Sequence, residues 1–322
     1  MAVEIEDIFV PQATIKVEKK SVVHADNVFK FIVGLFAFSV VVLLVWLGIQ
    51  LYISSRPAFV ALGFWDFIKG TTWDPVSGVF GALPFIYGTI VTSFLALLIA
   101  TPLGIGTALF LAELSPKWLR HSLQPLVELL AGIPSVIYGL WGIFILSPLM
   151  ATTIEPFLSS KFGFLPIFKG YPLGIGFLTA AIILAIMIVP FIISVSTEVL
   201  STVPTPLKEG MYALGATRWE TTKKIALPYA RSGISGSIIL ALARALGETM
   251  AVTMVIGNTP QISKSLLDPG YTMAAVIANE FTEATSDSYL SALVAIAFIL
   301  LLITLLVNAV ARWLIWRTTG VK

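Results

Sequence analysis

Six long apolar stretches constrain the fold of this 322-residue chain more than any other feature. A helix needs about 20 apolar residues to cross about 30 Å of hydrocarbon. Six segments reach that length, at roughly 31–53, 83–111, 126–150, 173–196, 233–256 and 289–314. Hydrophobic residues make up 57% of the chain and charged residues 12%, whereas soluble domains carry about 25% charged residues. The sequence therefore predicts an all-α integral membrane protein with six transmembrane helices.

Composition also excludes several classes of function. The formal net charge of +2 gives no reason to expect nucleic acid as a partner. Cysteine is absent, which excludes disulfides, thiol catalysis and cysteine-ligated metals. The first 30 residues are polar and of mixed charge, unlike a cleavable signal peptide. We therefore expect the first apolar segment to remain in the protein as a membrane anchor.

The distribution of lysine and arginine predicts the orientation, because cytoplasmic loops are enriched in these residues. If both termini are cytoplasmic, the cytoplasmic connections hold 14 of them and the opposite side holds 5. The remaining one, Arg244, falls inside the fifth predicted span. This topology predicts four parts: a cytoplasmic segment 1–30, a first helix and outer loop 31–82, a core 83–315 with a cytoplasmic loop 199–232, and a tail 316–322.

The loop before the fifth predicted span carries a spaced motif. Its fixed positions are Glu209, Gly215, Ile225, Leu227 and Pro228. Helix-forming residues flank the glycine, which can adopt a positive φ, so the pattern predicts helix, turn and helix. Pro228 then either ends the second helix or begins the next span. Such a basic amphipathic segment either lies on the anionic membrane surface or docks on another protein.

The same five positions resemble the cytoplasmic signature of binding-protein-dependent ABC transporter permeases at the same spacing. Two residues depart from the signature, because Gly210 and Met211 stand where the family usually has alanines. The resemblance implies that this loop docks on a separate ATPase subunit. The chain itself contains no Gly-Lys dipeptide and hence no P-loop. We therefore expect no cofactor, no metal site and no catalytic residue in this chain, with ATP and Mg²⁺ on the partner ATPase.

Two charged residues interrupt the fifth predicted span. Arg244 and Glu248 are four residues apart, so a continuous helix would place them on one face. Ionisable residues within a membrane are costly and usually functional. Either the pair neutralises itself and fixes helix packing, or Arg244 presents a cation to an anionic solute. Thr249 either lines the same polar path or bonds to the helix backbone.

Further segments resemble phosphate ABC transporter permeases of the PstC type, which are type I ABC importers. They are residues 73–75, 88–93, 128–139 and 244–252, and the likeness extends from about residue 70 to the C-terminus. The resemblance implies that Arg244 and Glu248 act in phosphate passage by alternating access. It also implies a second permease of the PstA type, two ATPase subunits and an extracytoplasmic phosphate-binding protein, all at the cytoplasmic (inner) membrane of a prokaryote.

Three alternatives stay open on the sequence alone. The first is an ABC permease for another solute, namely sulfate, molybdate or tungstate, because the loop signature concerns the contact with the ATPase and not the transported solute. The second is a secondary anion transporter that uses Arg244 and Glu248 as a proton-coupled site. The third is a membrane-embedded enzyme, against which no predicted span contains a histidine cluster or a carboxylate pair.

Overall fold

A computed structural model describes residues 19–319 of the chain, with side chains from 26 to 317. The chain divides into two units, residues 1–50 and 51–322. Within the described residues, the first unit contains only the earlier part of one long helix, α1 (Lys19–Leu62). Most of the predicted N-terminal segment 1–30 lies outside the described residues. The boundary predicted at residue 31 falls inside α1.

Helices dominate the described residues. After α1 they are α2 (Phe64–Lys69), α3 (Leu83–Leu109), α4 (Lys117–Ala131), α5 (Ser135–Trp141), α6 (Ser147–Leu149), α7 (Glu155–Phe162), α8 (Phe177–Ser201), α9 (Thr205–Ala213), α10 (Arg218–Thr221), α11 (Leu227–Gly247), α12 (Met250–Val255), α13 (Met273–Glu280) and α14 (Asp287–Thr319). Four π-helical segments, Phe110–Leu114, Gly142–Leu146, Met150–Ile154 and Thr222–Ala226, and a 3₁₀ turn, Pro166–Phe168, join some of them. Two short strands, β1 (Trp73–Asp74) and β2 (Val79–Phe80), form an antiparallel hairpin.

Six helical stretches in the described part of the chain are long and apolar enough to cross a membrane. They are Asp26–Leu62, Leu83–Leu114, Ser135–Phe162, Phe177–Ser201, Arg218–Gly247 and Asp287–Arg317. The prediction of an all-α membrane protein with six spans is therefore confirmed. The orientation of the termini and the four-part division of the chain stay predictions.

The third span differs from the one predicted at 126–150. The helix α4 ends at Ala131, and the span begins only at Ser135, after a break at residues 132–134. Pro134 is the cause, because proline disfavours a helical conformation in the residue before it. The helix α4 is amphipathic, has no buried residue and carries Glu128 on an exposed position. A hydropathy average over residues 126–150 includes the apolar face of α4, so it does not reveal that this helix is amphipathic.

The fifth span also differs from the one predicted at 233–256. It begins at Arg218, ends at Gly247, and is followed by the separate short helix α12. Pro228 neither ends a helix nor begins the span, because the helical stretch runs through it. A proline has no N–H to donate to the preceding turn. The π-helical segment Thr222–Ala226 contains Lys224, the residue whose carbonyl would have accepted that bond.

A pentapeptide that occurs twice adopts two structures. Residues 102–106 and 172–176 share the sequence Pro-Leu-Gly-Ile-Gly. The first copy lies inside α3, whereas the second forms a non-helical loop before α8, so the fourth span starts at Phe177 and not at 173. In the second copy Gly174 has φ 73° and approaches Ser147 so closely that a β-carbon would lie 2.2 Å from its carbonyl oxygen. The buried Glu155 carboxylate accepts a bond of 2.8 Å from the Gly174 N–H. These tertiary contacts decide the conformation of the second copy.

The helix α8 is the centre of the membrane core. In the most apolar 18-residue stretch of α8, 61% of the residues are buried. In the equivalent stretch of each other span, at most 33% are buried. The helix α8 packs against α3 through Gly104, whose missing side chain leaves room for Ile192. It packs against α11 through Gly233, which leaves room for Val199. Small residues at such contacts let helices approach closely, which is a main source of packing energy in lipid.

A second core region joins the hairpin to α13 and α14. The Trp73 indole N–H donates to Glu280 Oε2 at 2.8 Å, and the Tyr289 hydroxyl donates to the same oxygen at 2.7 Å. The rings of Trp73 and Phe80 pack edge to face with centroids 4.9 Å apart. In the hairpin turn Asp74 accepts bonds from the Ser77 hydroxyl and from two backbone N–H groups, which hold the pKa of Asp74 below its usual value.

We expect Gly88→Ala to lower the free energy of unfolding by about 1–3 kcal/mol, the usual cost of overpacking. A methyl group at Gly88 would lie 2.0 Å from the carbonyl oxygen of Tyr271, a backbone atom that cannot rotate away. The matched control is Gly106→Ala in the same helix, where nothing lies within 4 Å of the new methyl group. That control should be neutral or stabilising by up to about 1 kcal/mol. Thermal unfolding of both purified variants in one detergent tests the prediction, which equal transition temperatures would contradict.

Candidate functional site

The predicted turn at Gly215 is confirmed by its backbone geometry. Gly215 has φ +81° and follows the end of α9. Its N–H donates to the Tyr212 carbonyl at 2.9 Å, and the Ala216 N–H donates to the Met211 carbonyl at 3.1 Å. This pair of bonds is the Schellman motif that ends many helices. Nothing lies within 4 Å of a β-carbon at Gly215, so the backbone conformation and not the space requires glycine.

The second half of the turn starts a new helix with a capping box. Glu220 Oε2 accepts a bond of 2.8 Å from the Thr217 N–H, while Thr217 Oγ1 accepts one from the Glu220 N–H. Each side chain therefore satisfies a backbone donor that the helix leaves free. Together with the Schellman motif, this cap fixes both sides of the turn by local bonds alone.

The five motif residues divide into two groups by burial. Ile225 and Leu227 are half-buried and pack against the buried cluster formed by the ends of α3, α8 and α11. Glu209 and Pro228 are exposed, as is the Gly215 turn. The segment also exposes several large apolar side chains, namely Leu207, Tyr212, Leu214 and Trp219. We call residues 205–228 the coupling segment; its exposed apolar surface is typical of a protein contact.

An ion pair that the sequence analysis did not identify anchors the coupling segment. Lys208 Nζ in α9 lies 2.7 Å from Glu113 Oε1, which lies in the π-helical segment at the end of the second span. Only 18% of the Lys208 side chain and 7% of the Glu113 side chain is exposed. Water therefore screens this pair less than it screens a surface pair. The only sequence signal was an isolated glutamate at the end of an apolar run, which does not name its partner.

Arg244 and Glu248 do not form the helix-face pair that the sequence predicts. The helix α11 ends at Gly247, and Glu248 has an extended backbone with ψ 128°. Both residues lie in the described part of the chain, and no ion pair joins them. Instead, Glu248 Oε1 accepts a bond of 3.3 Å from the Ala251 N–H in the first turn of α12. The carboxylate thus satisfies the start of one helix, while Arg244 stands in the last turn of another, where a cation is favoured by the helix dipole.

The break between α11 and α12 lies well inside the bundle. The Val255 carbonyl at the end of α12 accepts a bond of 3.0 Å from the Gly176 N–H, just before α8 begins. The short helix α12 between the break and that bond packs against α5 and α8, and its residues Ala251, Val252 and Val255 are buried. Non-helical backbone at membrane depth occurs only where protein or a water-filled cavity surrounds it. Arg244, Glu248 and Thr249 are half-buried beside this packed region.

Thr249 bonds to the backbone in this structure. Its hydroxyl donates to the Gly247 carbonyl at 3.3 Å, and its own carbonyl accepts from the Thr253 hydroxyl at 2.7 Å. The first bond spans the break in the helix. The backbone bond considered for Thr249 is therefore present, and its place on a polar path stays a prediction.

The break before the third span lies beside the break after the fifth. The Tyr138 hydroxyl donates to the Leu130 carbonyl at 2.9 Å, across the break at residues 132–134. Gly139, the next residue, approaches Ala251 of α12 so closely that a β-carbon would lie 3.1 Å from its α-carbon. Two segments far apart in sequence, 128–139 and 244–252, thus build one site.

A single helix connects this site with the coupling segment. The helix α11 runs without interruption from Leu227, the fourth residue of the motif, to Gly247. Leu227 and Arg244 are separated by about 25 Å along its axis. A movement of the coupling segment along this axis would therefore reach Arg244 through one rigid element.

Residues 100–320 match the family model described as binding-protein-dependent transport system inner membrane component. The chain is 51% identical over 296 residues to the phosphate transport system permease protein PstC of Mesorhizobium japonicum, covering 91% of this chain and 90% of that protein. It is 49% identical over 298 residues to the protein of the same name in Xylella fastidiosa, covering 91% of both.

Among solved structures, a bacterial alginate ABC transporter in complex with an alginate-bound periplasmic protein has a chain of the same fold. The TM-score is 0.59 at 18% identity, with 92% of this chain and 97% of that chain covered. At this level of identity the likeness concerns the fold alone.

Proposed function

The chain belongs to the family of binding-protein-dependent transport system inner membrane components, and within it to the PstC-type permeases, and we propose that it translocates inorganic phosphate as the permease subunit of an ATP-driven importer. The observation that carries this proposal is the identity of about 50% to two PstC proteins over nine-tenths of the chain. The chain is a multi-pass membrane protein and a transport component, not an enzyme.

The coupling segment supports an ATPase partner. It is a locally fixed turn with an exposed apolar surface, anchored to the second span by Glu113 and Lys208. A docked ATPase that closes on ATP would displace this surface as a rigid body. The helix α11 would carry the displacement to the break at residues 248–249, and the spans would alternate between inward and outward access. We propose two ATPase subunits, a second permease of the PstA type and an extracytoplasmic phosphate-binding protein as partners, at the inner membrane of a prokaryote.

Arg244 is the residue proposed to meet phosphate. A guanidinium group can bond two oxygens of one phosphate through its planar donor fork. Glu248 bonds to the α12 backbone and not to Arg244, and no carboxylate among the described side chains forms an ion pair with this cation that phosphate would have to displace. The half-buried position strengthens the electrostatic attraction relative to bulk water. Glu248 and Thr249 are proposed to hold the break that leaves this position open.

The test of the proposed function is uptake of radiolabelled phosphate into proteoliposomes that contain the chain with its three kinds of partner. We expect uptake only when ATP is inside and the binding protein outside, and we expect unlabelled sulfate, molybdate or tungstate not to compete. Uptake driven by a proton gradient without ATP would instead indicate a secondary transporter. If another oxyanion competes more strongly than unlabelled phosphate does, the chain is still an ABC permease but that oxyanion is its transported solute.

Replacing the proposed phosphate ligand should stop transport without disturbing assembly. We expect Arg244→Ala to lower phosphate uptake by at least about 30-fold, the equivalent of about 2 kcal/mol for a buried charged contact. Arg244→Lys keeps the charge but not the fork, so its uptake should fall between those of Arg244→Ala and the wild type. Size-exclusion chromatography of each complex provides the control for assembly. Normal uptake by Arg244→Ala would remove this residue from the phosphate path.

The turn at Gly215 offers a pair of variants that separates backbone strain from side-chain size. Gly215→Val places a β-branched residue at φ +81°, which is strongly disfavoured, whereas Gly215→Asn places there a residue that tolerates this region. We expect Gly215→Val to hydrolyse ATP with several-fold less phosphate transported per ATP, and Gly215→Asn to stay near the wild-type ratio. Simultaneous measurement of ATPase activity and uptake gives this ratio. If both variants couple normally, the turn does not transmit the movement.

A further inference from the structure

A cleft of about 470 Å³ opens between α11 and α14, at the end of the bundle that carries the coupling segment. Ser232, Gly236 and Leu240 line it from successive turns of α11, and Arg312, Ile315 and Trp316 line it from the last turns of α14. Leu240, the lining residue nearest the break, stands eight residues before Glu248, so the break at residues 248–249 is not part of the cleft. The proposed phosphate path does not account for it.

The shape of the cleft follows from small residues on α11. Ser232 and Gly236 are one turn apart and leave a shallow slot along that helix. A β-carbon at Gly236 would meet no atom within 4 Å, so the space beside it is open. Leu240, Ile315 and Trp316 make the slot apolar, and Leu240 and Trp316 are 53% and 68% exposed. An apolar slot of this kind suits a hydrocarbon chain.

The chemistry of the cleft changes at its rim. Arg312 is exposed and stands at the same opening as Trp316. Arg317 is the residue after Trp316. Its guanidinium carbon lies 5.4 Å from the centroid of the Trp313 ring, so its charge already has a cation–π partner. Tryptophan and arginine at the end of a membrane helix are typical of the interface between headgroups and acyl chains. The cleft therefore joins an apolar slot to a cation at the depth where a phospholipid changes from chain to headgroup.

We propose that this cleft binds an anionic phospholipid, with its phosphate at Arg312 and one acyl chain along the Gly236 slot. Basic pockets between membrane helices bind anionic headgroups by this combination of charge and apolar contact. A free phosphate ion would gain nothing from the apolar walls, and a zwitterionic lipid would gain less from the cation. Because the lipid would lie on α11, it would contact the helix that connects the coupling segment with Arg244.

The test uses the assembled transporter in phosphatidylcholine nanodiscs that contain a small fraction of lipid with brominated acyl chains. Bromine quenches nearby tryptophan, and the difference between the wild type and Trp316→Phe isolates the signal of Trp316. We expect brominated phosphatidylglycerol to quench Trp316 more than brominated phosphatidylcholine does. Arg312→Gln should weaken this preference about fivefold, the usual contribution of one interfacial cation. Arg312→Lys should retain it, and the matched control Arg317→Gln, with the same loss of charge on the same helix, should leave it unchanged.

Three results would overturn the proposal. Equal quenching by the two brominated lipids would show a slot without preference for an anionic headgroup. Reversal of the quenching by added inorganic phosphate would assign Arg312 to the free ion. Absence of quenching of Trp316 by either lipid would show that a partner subunit covers the cleft in the complex.

Discussion

Hydrocarbon offers no hydrogen bonds to a peptide group, and the rest of this structure depends on that constraint. Each span must satisfy its own backbone, so every interruption of a helix needs a local replacement for the bonds it loses. The interruptions at residues 132–134 and 248–249 obtain it from side chains. The Tyr138 hydroxyl reaches the Leu130 carbonyl across the first, and the Glu248 carboxylate reaches the Ala251 N–H after the second. These two interruptions lie side by side, because Gly139 after the first packs closely against Ala251 after the second.

The features that the sequence predicted correctly are those encoded by neighbouring residues. Hydropathy counts the spans because a lipid-facing helix must be apolar along its whole length. The turn at Gly215 was predictable because only glycine adopts its φ easily, and the helix signals on both sides are local. The relationship to PstC-type permeases was also readable, since the motifs at 128–139 and 244–252 are contiguous in sequence.

The features that the sequence did not predict depend on contacts between distant residues. The pentapeptide at 172–176 leaves the helical state because Ser147 and Glu155 engage the backbone of Gly174, whereas its copy at 102–106 packs through Gly104 on the Ile192 side chain and stays in α3. The pairing of Arg244 with Glu248 assumed a helix that continues to residue 256, but the helix ends at Gly247. Lys208 and Glu113 lie 95 positions apart, so no local pattern relates them. The break at residues 132–134 is the exception, because the neighbouring Pro134 causes it.

The π-helical segment Thr222–Ala226 affects the direction in which the surface of the coupling segment faces. Such a segment contains one residue more than the α-helical turns it replaces, and one residue corresponds to a rotation of about 100° about the helix axis. The consecutive residues Thr221 and Thr222 are both buried here, and their hydroxyls bond to the carbonyls of Thr217 and Arg218. The surface upstream of this point is therefore turned by a full residue step relative to α11. The direction in which that surface faces about the helix axis is set by the number of residues in the π-helical segment. The number of residues here is therefore constrained independently of which side chains they carry.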